Sequence, residues 1–437
     1  MKYYCIGIKG SGMSTLAEIL YDLGNDVIGY DDYKGHKYTE EGLEKRNIKI
    51  YYDSTHNIDE DTIVTYSKAF SEEHPEIKRI KNLGLKVIDY NELLGDLSKR
   101  FKTIGISGTH GKTTTSTMIS HVLKNTKGCN YFIGDGTGFA DKNNDLFVLE
   151  SCEYKKHFLS YSPYYSVVTN IELEHTECYK DIDEIIKTFE EFSNKAEVTI
   201  ACGDDLNVRK MNLNNKVIYY GFNDNNDVVA KNINLTKTGS EFDVYINKEL
   251  YGHFNLPVFG NHMILNALAC ITICNLENVD KKSIHDLLNT FVNAKRRFKE
   301  TTIGDIVTID DYAHHPTELK VTIMSARQKY PEKEVVAVFL PNTYSRTEAL
   351  MEDFIEALKT ADKAYVMDIS CDREKSEDYP NASSDNIIKN INNAEKISLD
   401  TVDKLLNHEN SVICFMSCAN IYEMVNKFHE LLENKNN

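Results

Sequence analysis

A chain of 437 residues is too long for one ordinary core, and at roughly 100 to 200 residues per domain it predicts about three. With 41% hydrophobic and 27% charged residues it is globular, and its net charge of −17 excludes nucleic acid and anionic membranes as partners held by the overall field, so any bound phosphate needs a built site. Ten cysteines without CxxC or metal-ligand spacing predict reduced thiols in a cytoplasmic protein, with neither a signal-peptide core nor an apolar run of roughly 18 residues.

Residues 1–98 read as a Rossmann-like α/β unit. A strand over Tyr3–Ile8 delivers the turn Gly7-Ile8-Lys9-Gly10-Ser11-Gly12-Met13-Ser14 into a helix over Thr15–Leu23, and a second strand, Asp26–Tyr30, ends in Asp31-Asp32. Thr15 stands where the third glycine of a dinucleotide fingerprint would be. Gly10-x-Gly12 therefore fits a diphosphate-containing ligand, a redox dinucleotide or a plain helix-entry turn. Strands follow at Lys49–Tyr52, Thr62–Tyr66 and Lys86–Ile88, with helices at Glu40–Lys45 and His74–Leu83. The polar stretch Asn91–Phe101 reads as a hinge.

Residues 99–297 open with the apolar run Thr103–Ile106, then Gly108-Thr109-His110-Gly111-Lys112-Thr113-Thr114, then a helix over Thr115–Leu123. A strand that feeds a glycine-rich turn into a helix start leaves several backbone N–H groups aimed at one spot, which suits a polyphosphate. Lys112 is placed for the terminal phosphates and the Thr113 hydroxyl for Mg2+. The strand Leu146–Leu149 ends in Glu150, where an acid holds Mg2+ in such sites. Glu153 follows, and the strand Tyr165–Thr169 delivers Asn170, Glu172, Glu174 and His175; at the carboxyl ends of parallel strands these groups converge on the glycine loop. Taken singly, Glu153 and Glu174 read equally as surface charges and His175 as a structural histidine. Strands at Ala196–Ala201 and Lys216–Tyr220, a hairpin over Val228–Tyr251 and a helix carrying Asn261-His262 and Asn266 complete the region. Lys295-Arg296-Arg297-Phe298 is either a solvated basic run or an anion contact.

Residues 298–437 read as a second doubly wound α/β domain. The strand Asp305–Ile309 leads to Asp310-Asp311-Tyr312-Ala313-His314-His315-Pro316, with Pro316 opening a helix to Lys329. The strand Val335–Leu340 ends in Pro341-Asn342-Thr343-Tyr344-Ser345-Arg346-Thr347, which places Arg346 for an anion. Adjacent His314 and His315 do not easily share one metal. Further strands are expected at Lys363–Met367 and Val412–Met416.

With these stretches in hand, the chain resembles the Mur ligases, ATP-dependent enzymes that add amino acids to UDP-N-acetylmuramate. The motifs that carry the likeness are Gly7–Ser14, Gly108–Thr115, Glu150-Ser151-Cys152-Glu153-Tyr154 with His157-Phe158-Leu159, Thr169-Asn170-Ile171, Glu174-His175 with Tyr179, Lys295–Phe298 and Asp310–Pro316. The resemblance implies three domains: a Rossmann-like uridine-nucleotide domain, a phosphate-loop ATPase-like central domain, and a Rossmann-like carboxy-terminal domain that binds the amino acid. It implies ATP and Mg2+ as cofactors, and UDP-N-acetylmuramate and L-alanine as substrates of a cytoplasmic enzyme that is a monomer or weak homodimer.

By position, the resemblance gives Lys112, Glu150, His175 and Arg346 catalytic roles. Thr113 and Glu150 would hold one Mg2+ and His175 another. Gly108 to Thr114 would bind the ATP phosphates, Asn266 the adenine end, Asp311 the ribose side, and Arg297 the nucleotide. Gly10, Ser11, Gly12, Met13, Ser14, His56 and Ser67 would contact the UDP sugar, which settles the glycine turn in favour of UDP. Glu153, Tyr312, His314 and Arg346 complete the substrate set, with Arg346 on the amino-acid carboxylate or the transferred phosphate. Glu190 falls where relatives adding later residues carry a carbamylated lysine, which fits the alanine-adding branch. The chain departs from the family pattern at Leu340-Pro341-Asn342 (Gln-Pro-His in relatives), at Ser417-Cys418-Ala419-Asn420-Ile421 (Gly-Ala-Gly-Asp-Ile) and at Met263. The accepted amine therefore stays open between L-alanine and a preformed peptide, and a non-catalytic relative is the remaining alternative.

Overall fold

A computed structural model describes residues 1–175, 178–371 and 374–436. The first sheet is five parallel strands, Lys2–Ile6, Asp26–Tyr30, Lys49–Tyr51, Ile63–Tyr66 and Lys86–Val87, in the order third, second, first, fourth, fifth. Pairing Tyr3 with both Val27 and Ile63 brings the carboxyl ends Ile6, Tyr30 and Tyr66 to one edge. The first helix begins at Ser11 rather than Thr15, because Gly10 serves as its cap and Met13 and Leu16 are already part of its buried face. Asn91–Phe101 is not a hinge. Tyr90–Ser98 is a helix whose Asp89 cap accepts the Asn91 amide at 2.8 Å, with Leu93, Leu94 and Leu97 buried. A cap plus leucines at helical spacing outweighs the polar residues between them. The helix docks closely on the central domain, where a Cβ at Gly95 would lie 2.3 Å from the Ser160 carbonyl oxygen.

The central sheet has ten strands. Seven are parallel, in spatial order Asn130–Ile133, Leu146–Glu150, Lys102–Ser107, Tyr165–Val168, Val198–Cys202, Lys216–Gly221 and Val228–Thr236. Antiparallel strands close the edges, Thr137–Phe139 on one side and Gly239–Ile246 with Glu249–Leu256 on the other. The expected hairpin is thus a three-stranded meander. Asn247 and Lys248 both take positive φ, 50° and 71°, the two-residue turn that matches strand twist.

The inner parallel strands, such as Lys102–Ser107, Leu146–Glu150 and Tyr165–Val168, are buried on both faces. Ile104, Ile106 and Val148 meet Met118, Ile119 and Ile271 of helices Lys112–Lys124 and Asn261–Leu276. Phe147 and Leu149 face the opposite way, with Phe189 and Phe192 of helix Ile182–Ser193, in an apolar cluster that continues to Leu16 and Met13 of the first domain.

The third sheet has Lys299–Ile303 antiparallel at one edge, followed by parallel strands Ile306–Asp311, Ser411–Met416, Glu334–Phe339, Lys363–Val366 and Ala394–Lys396. Polar contacts fix the domains to one another. The Gly138 amide donates to Glu18 (3.2 Å) and its carbonyl accepts Arg46 (3.0 Å), while Gln328 joins the Gly260 amide (2.8 Å) and the Gly239 carbonyl (2.9 Å). Among the described residues no cysteine is in a disulfide, and no helix is long and apolar enough to cross a membrane.

Candidate active site

The strand Lys102–Ser107 runs into Gly108 at φ 140° and Gly111 at φ 81°, which caps helix Lys112–Lys124. Both glycines are required. A Cβ at Gly108 would lie 1.9 Å from Thr169 Oγ1, and one at Gly111 would lie 3.0 Å from Asn266 Oδ1. The turn is clamped from the next strand's end: Asn170 accepts the His110 amide (2.8 Å), and Thr169 (2.6 Å) and Asn170 (3.0 Å) both donate to the His110 carbonyl. The amides of the first helical turn are left facing a cavity of 720 Å³ where the three domains meet. Ser11 and Tyr38 of the first domain line it, with Lys112 and Glu150 of the second and Tyr312 and His314 of the third.

Lys112 Nζ donates to the Gly108 (2.5 Å) and Thr109 (3.1 Å) carbonyls and meets Glu153 at 2.9 Å. Burial opposes its charge, but Glu153 beside it wins and holds the ammonium above the usual lysine range. Thr113 Oγ1 lies 2.9 Å from Glu150 Oε1, and Glu150 Oε2 accepts the Gly134 amide at 2.6 Å. Burial raises the Glu150 carboxyl. Thr113 donates its contact with Glu150 as a hydrogen bond, and a hydroxyl beside a carboxylate is a pair of hard oxygen donors of the kind Mg2+ takes, so the donor set fits that ion. His175 meets the same carboxylate as Lys112, with Nε2 3.7 Å from Glu153 and its backbone at φ 55°.

A second cavity of 340 Å³ opens on the other side of His110 and Gly111. Asn266, Arg297 and Asp311 all line it. Asn266 lies against the glycine loop itself, while Tyr220, Phe259 and Phe298 supply flat apolar walls to the same space. Asp311 accepts the Phe298 and Ala313 amides, both at 2.8 Å, and burial pushes its carboxyl up to about 6.

A charged cluster joins the loop to the carboxy-terminal domain. His110 Nδ1 is 3.2 Å from Glu318, and its Nε2 is 3.5 Å from Glu172. Burial opposes its protonation, yet the two carboxylates raise it to about 9. Glu318 also accepts the His314 amide at 3.0 Å. Burial keeps His314 low, and the chain bends its Nδ1 onto the Tyr312 carbonyl at 2.9 Å. His110, Glu172 and His315 offer ligand atoms within 4.8 Å of one another, but His315 Nδ1 accepts the Thr317 amide and His110 is held between carboxylates, so the group is an ion-paired clamp. Arg346 makes two bonds to Glu174 Oε1, 2.6 and 3.0 Å, and lines a third cavity of 340 Å³. Burial would raise Glu174; the Arg346 guanidinium beside it outweighs burial and holds the carboxyl at about 2.

Residues 2–102 match the catalytic domain of the Mur ligase family, 106–274 the Mur ligase middle domain, and 296–418 the Mur ligase glutamate ligase domain. The chain belongs to the Mur ligase family. Members are ATP-dependent amide ligases. Three solved structures share the fold over the whole length. The UDP-N-acetylmuramate-alanine ligase MurC of Thermotoga maritima has 24% identity and a TM-score of 0.81, with 100% of both chains covered. A murein peptide ligase of Psychrobacter arcticus has 21% and 0.70, with 99% of both covered. A pseudomurein peptide ligase of Methanothermus fervidus has 19% and 0.66, with 100% of both covered.

In this Mur ligase the first-domain residues do not all face the central cavity. Ser11 does. Gly10 and Gly12 flank it at the helix start, whereas the Met13 and Ser14 side chains are buried in the domain, and Ser14 spends its amide on the Gly10 carbonyl (2.8 Å) and its hydroxyl on the Ser11 carbonyl (2.9 Å). Ser67 lies beside Gly7 at the sheet's carboxyl edge; His56 stacks on Tyr51 at 3.7 Å, also past a strand end. The sequence reading missed Glu318, Tyr220, Phe259, Tyr38 and Gly134. Glu318 had a legible signal, three residues past the His315 cap, where a capping-box acid belongs. Tyr220 and Phe259 had none.

Proposed function

We propose that the chain joins L-alanine to the carboxylate of UDP-N-acetylmuramate at the expense of ATP, through an acyl phosphate, in peptidoglycan precursor synthesis. The observation that carries this is the 720 Å³ cavity, which opens at once on the uridine-nucleotide helix start at Ser11, the phosphate loop at Lys112 and the carboxy-terminal wall at His314. A kinase or hydrolase needs the loop; a ligase needs all three walls. The nucleotide base lies in the second cavity against Tyr220, Phe259 and Phe298, and its phosphates pass Gly111 to the free amides of the loop. Lys112 offsets the charge of two anions brought together, which repel in water. Thr113 and Glu150 would hold Mg2+, with His175 for a second ion; bound there, it supplies Lewis-acid polarisation of the transferred phosphoryl group. Arg346 takes the carboxylate of the amine. His314, kept neutral by burial, has Nδ1 engaged, so Nε2 is the nitrogen that accepts the amine's proton as it attacks.

The test is a panel of amines (L-alanine, glycine, L-serine and a muramyl-type tripeptide) with ATP and UDP-N-acetylmuramate, followed by mass spectrometry of the nucleotide product. L-alanine is expected to give the largest kcat/KM. Ligation of tripeptide alone would make it a recycling ligase, and ATP binding without ligation of any amine would make it a non-catalytic relative.

A further inference from the structure

An arginine orients a carboxylate only if its own backbone is fixed, and the loop that carries Arg346 is short and strained. Thr343, just before helix Tyr344–Ala349, has φ 71° and ψ 134°, an outlier for a β-branched residue. Strain of this kind persists where the surroundings over-determine it, and it gathers at ligand clamps. The surroundings here are a segment remote in sequence. Asn342 and Ser370 form a parallel bridge: Asn342 Nδ2 donates to the Ser370 carbonyl (2.8 Å), and the Ser370 amide to the Pro341 carbonyl (2.9 Å). Glu374 completes it, one carboxylate oxygen accepting the Ser345 amide at 3.0 Å and the other the Ser345 hydroxyl at 2.6 Å. Glu374 lines the 340 Å³ cavity with Arg346 and Glu174. Asn342 is thereby a bridge between the two segments.

We propose that Glu374 is a positioning residue for amine binding: by gripping Ser345 at both its amide and its hydroxyl, it fixes the neighbouring Arg346 in the pose that receives the amine's carboxylate. This rests on the assignment of Arg346 to that carboxylate. A purely structural brace would alter stability and all substrates alike. A positioning residue alters the amine alone.

The experiment compares Glu374→Ala, Glu374→Gln and Ser345→Ala in the full chain, with KM measured separately for amine, ATP and UDP-N-acetylmuramate. Glu374→Ala is expected to raise the amine KM at least about tenfold, with the other two within about twofold. Glu374→Gln, which keeps an acceptor oxygen, should recover most of the loss, and Ser345→Ala should raise the amine KM about threefold. Equal changes in all three constants, or none, would overturn the proposal. Hydrogen exchange gives a readout independent of turnover, since the Ser345 amide, which Glu374 accepts, should lose protection in Glu374→Ala. If the unaltered chain ligates no amine, the functional assignment fails, and unchanged protection of that amide would sink the positioning role on its own.

Discussion

His110 ties the phosphate loop to the carboxy-terminal domain through a charge that must be present for the tie to hold. Its imidazole rises from an ordinary 6.5 to about 9 because Glu172 and Glu318 outweigh burial. A raised basic group stabilises the fold fully below the unfolded value and loses that stabilisation as pH rises through the folded one. The window is therefore pH 6.5 to 9, and at 1.36 kcal/mol per unit the loss is at most about 3 kcal/mol, shared with its two partners. Thermal melts at pH 6 and 9.5 should show a larger drop for the unaltered chain than for His110→Gln, and parallel drops in the two proteins would contradict the clamp. Single residues were legible in the sequence where chemistry fixes spacing: Lys112 and Thr113 follow from the glycine loop alone. Glu318 meets the same loop at His110 from 208 residues away, and Tyr220 lines the cavity beside it; only the fold brings them there.

At the scale of elements, strands and helices were readable because apolar runs and capping residues are local. Glu334–Phe339, Asp26–Tyr30 and Pro316–Lys329 lie where the sequence puts them, to within a residue. Asn91–Phe101 reads as a hinge because Asn91, Glu92, Asp96, Lys99 and Arg100 mask the helical spacing of Leu93, Leu94 and Leu97. The hairpin Asn130–Phe139 escaped notice too, since its three-residue second strand at Thr137–Phe139 is too short to show alternation. That small strand matters, because Gly138 is where the central domain meets the helix Ser11–Asp22. A Cβ there would lie 2.7 Å from the Thr15 carbonyl, a backbone atom that cannot give way. Gly138→Val should cost about 1–3 kcal/mol. Amides of helix Ser11–Asp22 should exchange faster in the variant while those of strand Ser411–Met416 do not; uniform exchange across both would show that the contact does not set the docking.

At the scale of the molecule, the three sheets present their carboxyl edges to one cavity, and an excess of negative charge surrounds a centre built from Lys112, Arg297 and Arg346. Such a centre draws two anions from a repelling surface only by specific contacts, which suits a reaction between ATP and a carboxylate. Carboxylate activation is the step that separates a ligase from every other use of the same phosphate loop. The direct measurement is oxygen transfer. UDP-N-acetylmuramate labelled with 18O in its lactyl carboxylate is incubated with ATP and L-alanine, and the released phosphate is analysed by mass spectrometry. One labelled oxygen should appear in each phosphate formed, in step with the amide product; ADP formation with unlabelled phosphate would contradict an acyl-phosphate ligase.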